Sequence, residues 1–113
     1  MNKLTEGTKL DGGKARIELI PSEFLFAVAT ILTFGAEKYE ERNWEKGMSW
    51  GRVFGAAMRH LWAWWGGKGP TTVNFMFGDF DEETGHSHLW HAATCICFLI
   101  AYEERFVGVD DRG

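Results

Sequence analysis

The stretch from Asp79 to His91, with the sequence DFDEETGHSHLWH, holds the densest group of chemically active side chains in the protein. It contains two aspartates, two glutamates and three histidines around a single glycine. Carboxylates and neutral imidazoles are the side chains that hold divalent metals or transfer protons near neutral pH. Because the stretch leads directly into the most apolar run of the sequence, we expect several of these groups to converge where a loop enters a helix.

Two histidines of this stretch are spaced to act together. His88 and His91 are three residues apart, so they share one face of a helix. His91 falls one turn inside an apolar helix, where an imidazole without a carboxylate, metal or hydrogen-bonding partner is costly. A neutral histidine satisfied by a nearby group is the alternative, but beside Asp81 and Glu83 we favour a shared site. His86 points elsewhere and is expected at the surface.

A second acidic group follows the first apolar run of the sequence. Glu37, Glu40 and Glu41 lie on one face if the helix continues through residue 41, and carboxylates at this spacing can hold one metal or share two. A bound cation would also offset the unfavourable negative charge at a helix C-terminus. The alternative is a solvated acidic helix end, and Glu37 is the stronger candidate because it lies nearest the core.

Basic side chains accompany both acidic groups. Arg52 and Arg59 are seven residues apart on one predicted helix, and two guanidinium groups on one face suit phosphate oxygens. Ion pairs with the acidic segments are the alternative. Three further cations lie near Glu37: Lys38, Arg42 and Lys46. Metal-dependent phosphoryl or nucleotidyl chemistry needs such a mixture, because carboxylates hold the metal and cations neutralise the phosphate charge.

Three helices are predicted to position these groups, over residues 21–41, 50–65 and about 87–106, with Ser49 as the N-cap of the second. The second helix carries apolar residues at helical spacing: Phe54, Ala57, Met58, Leu61 and Trp65. The third is apolar all round, so it should be buried on every side. Because so small a domain cannot cover a central helix alone, we expect another subunit to pack against it.

The remaining segments complete a single all-α domain over residues 1–113, a small bundle of about three main helices completed by oligomerisation. Residues 1–20 are expected to form an extended arm, and residues 108–113 a frayed tail. Residues 42–47 indicate a turn. Residues 71–80 are compatible with either a short extended segment or an aromatic loop.

Composition limits the class of protein. The chain has 113 residues, 45% of them hydrophobic, which is typical of one folded domain and not of a disordered chain. Its net charge of −4 argues against general nucleic-acid binding, but not against a nucleotide substrate. Cys95 and Cys97 are expected to be buried, reduced thiols, which fits an intracellular protein. No signal peptide is visible, and the apolar stretch 89–102 is too short and polar for a membrane span.

Four segments of the chain, in order, carry a resemblance to a known family. They are KARIELIP at 14–21, GAEKYEERNWEKG at 35–47, AAMRHLWAW at 56–64 and DEETGHSHLWHA at 81–92. On these segments the chain resembles the phage-type dATP/dGTP diphosphohydrolases (MazZ-like), relatives of the all-α MazG-type nucleotide pyrophosphohydrolases. The resemblance implies hydrolysis of a purine deoxynucleoside triphosphate to the monophosphate and pyrophosphate, with Mg²⁺ or Mn²⁺. It also implies a homodimer or homotetramer in the cytoplasm, that of the host if the gene is a phage gene.

The resemblance also implies roles for individual residues. The metal candidates are Glu37, Asp81, Glu83 and His88. The catalytic candidates are Glu83, His88 and His91. The substrate candidates are Lys14, Arg16, Lys38, Arg42, Asn43, Trp44, Lys46, Arg59 and His60. Trp44 is expected to stack on a base.

The chain departs from the MazG pattern of ExxE followed later by ExxD, because His88 and His91 stand in place of the second pair. Whether these histidines bind metal, act as base or orient other groups is therefore open, as is the number of metals. The expected reaction is attack of water at the α-phosphorus. Two alternatives are a non-catalytic helical binding module with a structural metal or polar cluster, and a nucleotide phosphohydrolase that releases a different product.

Overall fold

The structure, a computed structural model, describes residues 12–66 and 80–113, and within them the chain is all-α as predicted. The three helices are α1 (Ser22–Lys38), α2 (Trp50–Trp65) and α3 (His88–Arg105). Two short 3₁₀ helices, Ile17–Leu19 and Asn43–Lys46, precede α1 and α2. The predicted aromatic segment 71–80 lies outside the described residues, except for Phe80.

Helix α3 is the central element, because it packs against α1 and, more extensively, against α2. Helices α2 and α3 run in opposite directions: Trp50, at the start of α2, lines a groove with Ile100 near the end of α3. At the other end of the pair, His60 of α2 contacts His88 at the start of α3. This arrangement places the beginning of α3 beside the second half of α2.

Helix α2 begins as predicted, with the Ser49 hydroxyl accepting a hydrogen bond from the backbone N–H of Arg52 at 3.2 Å. The face that packs on α3 differs from the predicted apolar stripe. Buried residues are Val53, Ala57 and Ala63, whereas four of the five predicted positions are exposed. Small side chains on the contact face let the two backbones approach closely, so the larger apolar residues point away from α3.

Helix α1 is shorter than predicted, because it ends at Lys38 and not at residue 41. Glu40 and Glu41 therefore do not share a helical face with Glu37, and the predicted three-carboxylate face is wrong. The cause lies in the next segment: Arg42 adopts the left-handed conformation (φ 58°) and starts the 3₁₀ helix Asn43–Lys46. No glycine or proline marks this stop in the sequence.

Both chain ends differ from expectation within the described residues. Residues 12–20 are exposed as expected of an arm, but Ile17–Leu19 forms a 3₁₀ helix and is not extended. The tail was predicted to fray, yet it is bound to the start of α2. The backbone N–H of Trp50 donates to Val109 O at 2.9 Å, and that of Gly51 to a carboxylate oxygen of Asp111 at 2.8 Å. The tail accepts these hydrogen bonds because the first N–H groups of a helix have no partner within the helix.

Gly47 and Gly108 make the tail contact possible, because both have positive φ and lie against each other. A Cβ atom on Gly47 would lie 2.8 Å from Gly108 N, and one on Gly108 would lie 2.3 Å from Met48 O. The Trp50 indole N–H also donates to Val107 O at 2.9 Å. We call residues 107–112, bound in this way to residues 47–51, the tail clasp.

A single chain covers α3 only in part, in line with the expectation that one small domain cannot cover this helix alone. Ile96 and Ile100 retain 44% and 57% exposure. Cys95 and Cys97 are free thiols, as predicted, and are half-buried. In the part of the chain that the structure describes, no helix has the length and apolar character needed to cross a membrane.

Candidate active site

Asp81 organises the acidic turn that leads into α3. Its Oδ1 accepts hydrogen bonds from the backbone N–H groups of Glu83 and Thr84, both at 3.0 Å, and its backbone exchanges hydrogen bonds with Gly85 and His86. Gly85 closes the turn with φ of 75°, a conformation that glycine adopts without strain. Ser87 then caps α3 by accepting from Leu89 N–H. The carboxylate is thus fixed just before the first turn of the helix.

Three histidines converge beside this carboxylate. His60 Nδ1 lies 2.9 Å from His88 Nδ1, and the His60 ring stacks on that of His91 with centroids 4.6 Å apart. His91 Nε2 contacts the Thr84 hydroxyl at 2.7 Å and lies 3.7 Å from Asp81 Oδ1. Asp81, Thr84 and the three imidazoles therefore form one polar cluster, which we call the histidine cluster.

Burial makes the histidine cluster electrostatically unusual. Burial, together with the neighbouring His91 and His88, lowers the pKa of His60 to about 4. Burial also lowers the pKa of His91, although the Asp81 carboxylate opposes this. Burial alone would raise the pKa of Asp81, but backbone hydrogen bonds and the adjacent imidazoles bring it below its usual value. At neutral pH the metal-free cluster thus pairs a carboxylate with neutral His60 and His91, whose lone pairs can accept a metal or a proton.

The donor atoms of the histidine cluster can hold a metal. One ring nitrogen each from His60 and His88 and one carboxylate oxygen of Asp81 all lie within 4.8 Å of one another. Two imidazoles and one carboxylate fit a divalent cation by their chemistry. Asp81 and His88 were predicted as metal candidates, whereas His60 was expected to contact substrate.

Glu83 and Lys38 form a polar pair near the histidine cluster. Lys38 at the end of α1 donates to Glu83 of the acidic turn at 2.7 Å, and this contact raises the pKa of the lysine. The two side chains are 40% and 57% exposed, so the pair faces solvent. Glu37, the neighbour of Lys38, is exposed and is not among the residues whose donor atoms converge.

Three of the six other predicted substrate residues pair locally with acidic side chains. Arg16 contacts Glu18 at 2.9 Å, and Arg42 contacts Glu45 at 3.3 Å. Lys46 pairs in the same way with Glu40. Arg59 is exposed on α2 next to His60, and the remaining two predicted residues are an exposed Lys14 and a half-buried Asn43. The local ion pairs thus engage Arg16, Arg42 and Lys46, whereas Arg59 lies beside the histidine cluster.

Trp44 packs inside the fold and does not present a free ring. Its ring stacks on Phe98 at 4.7 Å, and the Arg105 guanidinium lies 5.5 Å from the ring centroid. Tyr102, which is 1% exposed, donates its hydroxyl to Trp44 O at 2.6 Å. These contacts favour a role for Trp44 in fixing the 3₁₀ helix to α3 over the predicted stacking on a base.

Sequence reasoning missed Thr84 and the place of His60 among the converging donor atoms. The spacing of each residue from its neighbours in the sequence could have indicated both positions. Thr84 lies three residues after Asp81, a spacing at which an aspartate carboxylate can accept a backbone N–H, as it does at a helix N-cap. His60 lies seven residues after Val53 and three after Ala57, so it belongs to the buried face of α2.

Comparison with known proteins agrees with the resemblance. Residues 5–112 match the family described as dATP/dGTP diphosphohydrolase, N-terminal. A protein of Salmonella phage PMBT28 named dATP/dGTP diphosphohydrolase is 33% identical over 106 residues, which cover 94% of this chain but 33% of that protein. The chain therefore spans about a third of the length of this relative. No solved structure gives a significant match. The chain belongs to the family of dATP/dGTP diphosphohydrolase N-terminal domains.

Proposed function

We propose that this chain takes part in the metal-dependent hydrolysis of a purine deoxynucleoside triphosphate, dATP or dGTP, to the monophosphate and pyrophosphate. The observation that carries the proposal is the convergence of His60, Asp81 and His88 next to the Lys38–Glu83 pair. Family membership supports the substrate class, because the family description and the phage relative both carry the name dATP/dGTP diphosphohydrolase.

The residues of the site divide the work by their chemistry. His60, Asp81 and His88 would hold the metal, which when bound neutralises phosphate charge and makes water easier to deprotonate. Glu83 is the residue we assign to accept the proton of the attacking water, because its carboxylate is exposed and close to Asp81 in the same turn. Lys38 is assigned to a phosphate oxygen. His91 holds Thr84 and the ring of His60 in place.

The Lys38–Glu83 pair is suited to exchange partners when substrate arrives. Exposed ion pairs contribute little to stability, so a triphosphate can displace Glu83 from Lys38 at little cost in free energy. Loss of the lysine leaves Glu83 a free carboxylate, which is the form that a general base requires. The remaining substrate predictions stay proposals, and among them Arg59 is the most accessible to a phosphate near His60.

The proposal is tested by incubating the metal-stripped protein with each of the four deoxynucleoside triphosphates and added Mg²⁺ or Mn²⁺, with products separated by ion exchange. Monophosphate and pyrophosphate from dATP or dGTP are the expected products. Release of inorganic phosphate alone would replace the proposal with a different phosphohydrolase. Absence of turnover with retained metal would replace it with the binding module.

Glu83→Gln is expected to abolish turnover while leaving the helical circular-dichroism spectrum unchanged, because glutamine keeps the shape but cannot accept the proton. Glu82→Gln is the matched control, since Glu82 is an exposed neighbour of the same type in the same turn. Full activity of Glu83→Gln would remove this residue from the mechanism.

The non-catalytic binding module is the second candidate, because side chains of the histidine cluster hydrogen-bond to one another. In residues 12–66 and 80–113, no buried side-chain nitrogen or oxygen lacks a hydrogen-bonding partner. A polar network of this kind can fix a fold without any chemistry.

Assembly into dimers or tetramers also stays a prediction. It is supported by the exposed Ile96 and Ile100 on α3 and is checked by measuring the mass of the protein in solution.

A further inference from the structure

The histidine cluster differs from a magnesium site in the chemistry of its donors. We propose that His60, His88 and Asp81 form a two-imidazole, one-carboxylate site that binds a later first-row transition ion, such as Co²⁺, in preference to Mg²⁺. The inference builds on the proposed function, since it names the metal on which that function depends. It concerns binding, however, and is tested without nucleotide.

The first argument is the identity of the donor atoms. Mg²⁺ is bound through oxygen, usually by one or two carboxylates with several retained waters, and imidazole nitrogen is a poor replacement. Imidazole suits the later first-row ions, and two histidines with one carboxylate on one face of an octahedron are typical of such sites. In the histidine cluster two of the three converging donors are imidazole nitrogens.

The second argument is the convergence of the donors from two helices and the acidic turn. The Nδ1 atoms of His60 and His88 are 2.9 Å apart, and one nitrogen of each ring and one carboxylate oxygen of Asp81 lie within 4.8 Å of one another. The fold thus brings the three donors together, and a bound ion would replace the contact between the two imidazoles. Three protein donors leave open positions for water or phosphate oxygens.

The third argument is that the surroundings hold the donors in position. The Asp81 contacts with Glu83, Thr84 and His91 are all made by Oδ1, and Oδ2 has no donor in the described part of the chain. The ring of His91 lies against the ring of His60 at an interplanar angle of 15°. Such supporting contacts typically change metal affinity by about 10–100-fold when they are lost. His91 is thus a positioning residue and not one of the three donors.

The test uses the metal-stripped chain and the metal ions alone. Calorimetric titration is expected to show one Co²⁺ bound at least ten-fold more tightly than Mg²⁺. The Co²⁺ complex is expected to show visible absorption that reaches its maximum at one equivalent of bound ion. Asp81→Asn and His88→Gln are expected to lose most of this affinity, and His91→Gln to lose a smaller part. His86→Gln, which alters a histidine that stacks on Trp90 outside the cluster, is the matched control and should bind as the parent does.

Three results would overturn the inference: Mg²⁺ binding as tightly as Co²⁺, a visible Co²⁺ spectrum that does not change on addition of the protein, or unchanged affinity in Asp81→Asn. Circular dichroism of each variant separates loss of a ligand from loss of the fold, and the isosteric Asp81→Asn keeps the test valid if His88→Gln unfolds. Failure of the proposed function would look different, because metal preference and the cobalt spectrum would persist without any turnover of dATP or dGTP.

Discussion

The two ends of the α2–α3 pair are stabilised in different ways. At one end, His60 and His88 meet in the histidine cluster, where hydrogen bonds fix polar groups at defined distances. At the other end, Trp50 and Ile100 line an apolar groove next to the tail clasp. On the proposed function, the histidine cluster would carry out the reaction, whereas the tail clasp would stabilise the fold. Substitutions in the histidine cluster should change chemistry most, and substitutions in the tail clasp should change the free energy of unfolding.

The largest effect is expected for Asp81→Asn. Asparagine keeps an oxygen that accepts the N–H groups of Glu83 and Thr84, so the acidic turn should persist, but the negative charge is lost. We expect kcat/KM for dATP or dGTP to fall by at least about 100-fold, since loss of a ligand should exceed the effect of its supporting contacts. The melting temperature of the metal-free protein should change little. Asp110→Asn, in the tail, is the control, and equal losses in both variants would contradict the separation.

Gly108→Ala should give the largest loss of stability. Gly108 has φ of 82°, and an added Cβ would lie 2.3 Å from the backbone oxygen of Met48. Strain and clash together are expected to lower the free energy of unfolding by about 2 kcal/mol or more, measured by urea denaturation. Gly13→Ala has a similar φ of 81° with nothing within 4 Å, so it isolates the strain. A Gly108→Ala variant as stable as Gly13→Ala would show that the tail clasp is dispensable.

Acid should destabilise the metal-free protein through the histidine cluster. The pKa of His60 is about 4 in the folded state and about 6.5 in the unfolded chain, so between these values the unfolded chain binds the additional proton. Stability is therefore expected to fall as pH decreases from about 7 to about 4, with His91 contributing in the same direction because its pKa is lowered too. Melting temperatures across this range should fall less steeply in His60→Gln. An identical pH dependence in parent and variant would exclude His60 as a cause.

The smallest effect is expected for Asp111→Ala. The Asp111 carboxylate accepts the N–H of Gly51 at 2.8 Å in the first turn of α2, where negative charge is favourable. Its loss should cost about 0.5–1 kcal/mol, visible as a small decrease in melting temperature. Asp110→Ala removes a carboxylate that pairs with Arg112 and not with the helix, so it should have no measurable effect. Reversed effects of the two substitutions would contradict the proposed capping of α2.

The sequence predicted the features that depend on local signals. Ser49 and Ser87 mark the starts of α2 and α3, and the spacing of His88 and His91 places both on one side of α3. The sequence did not predict contacts between distant segments. The segment that follows the early end of α1 is held by the stacking of Trp44 on Phe98, and the tail clasp joins residues about 60 positions apart. Local spacing contains no information on such pairs.

The site shows the same division between local and distant information. The acidic turn and the two histidines of α3 are neighbours in sequence, so their grouping was predictable. His60 joins them from another helix, and only the packing of small α2 residues on α3 brings its ring to His88. Glu37 was favoured for its position after the apolar run. In the structure it is exposed at the end of α1 and is not among the residues whose donor atoms converge.

One continuous helix connects the two ends of the pair. The ten steps along the helix from Trp50 to His60 correspond to about 15 Å of α-helix, which behaves as a nearly rigid rod over that length. A rotation of about 2° around the clasped end would carry the far end through about 0.5 Å, which is the tolerance within which a designed metal or catalytic site must be held. The contact of the last residues with the first turn of α2 therefore helps to set the position of His60. On the proposed function, the precision of metal binding would depend on a contact that touches none of the proposed ligands.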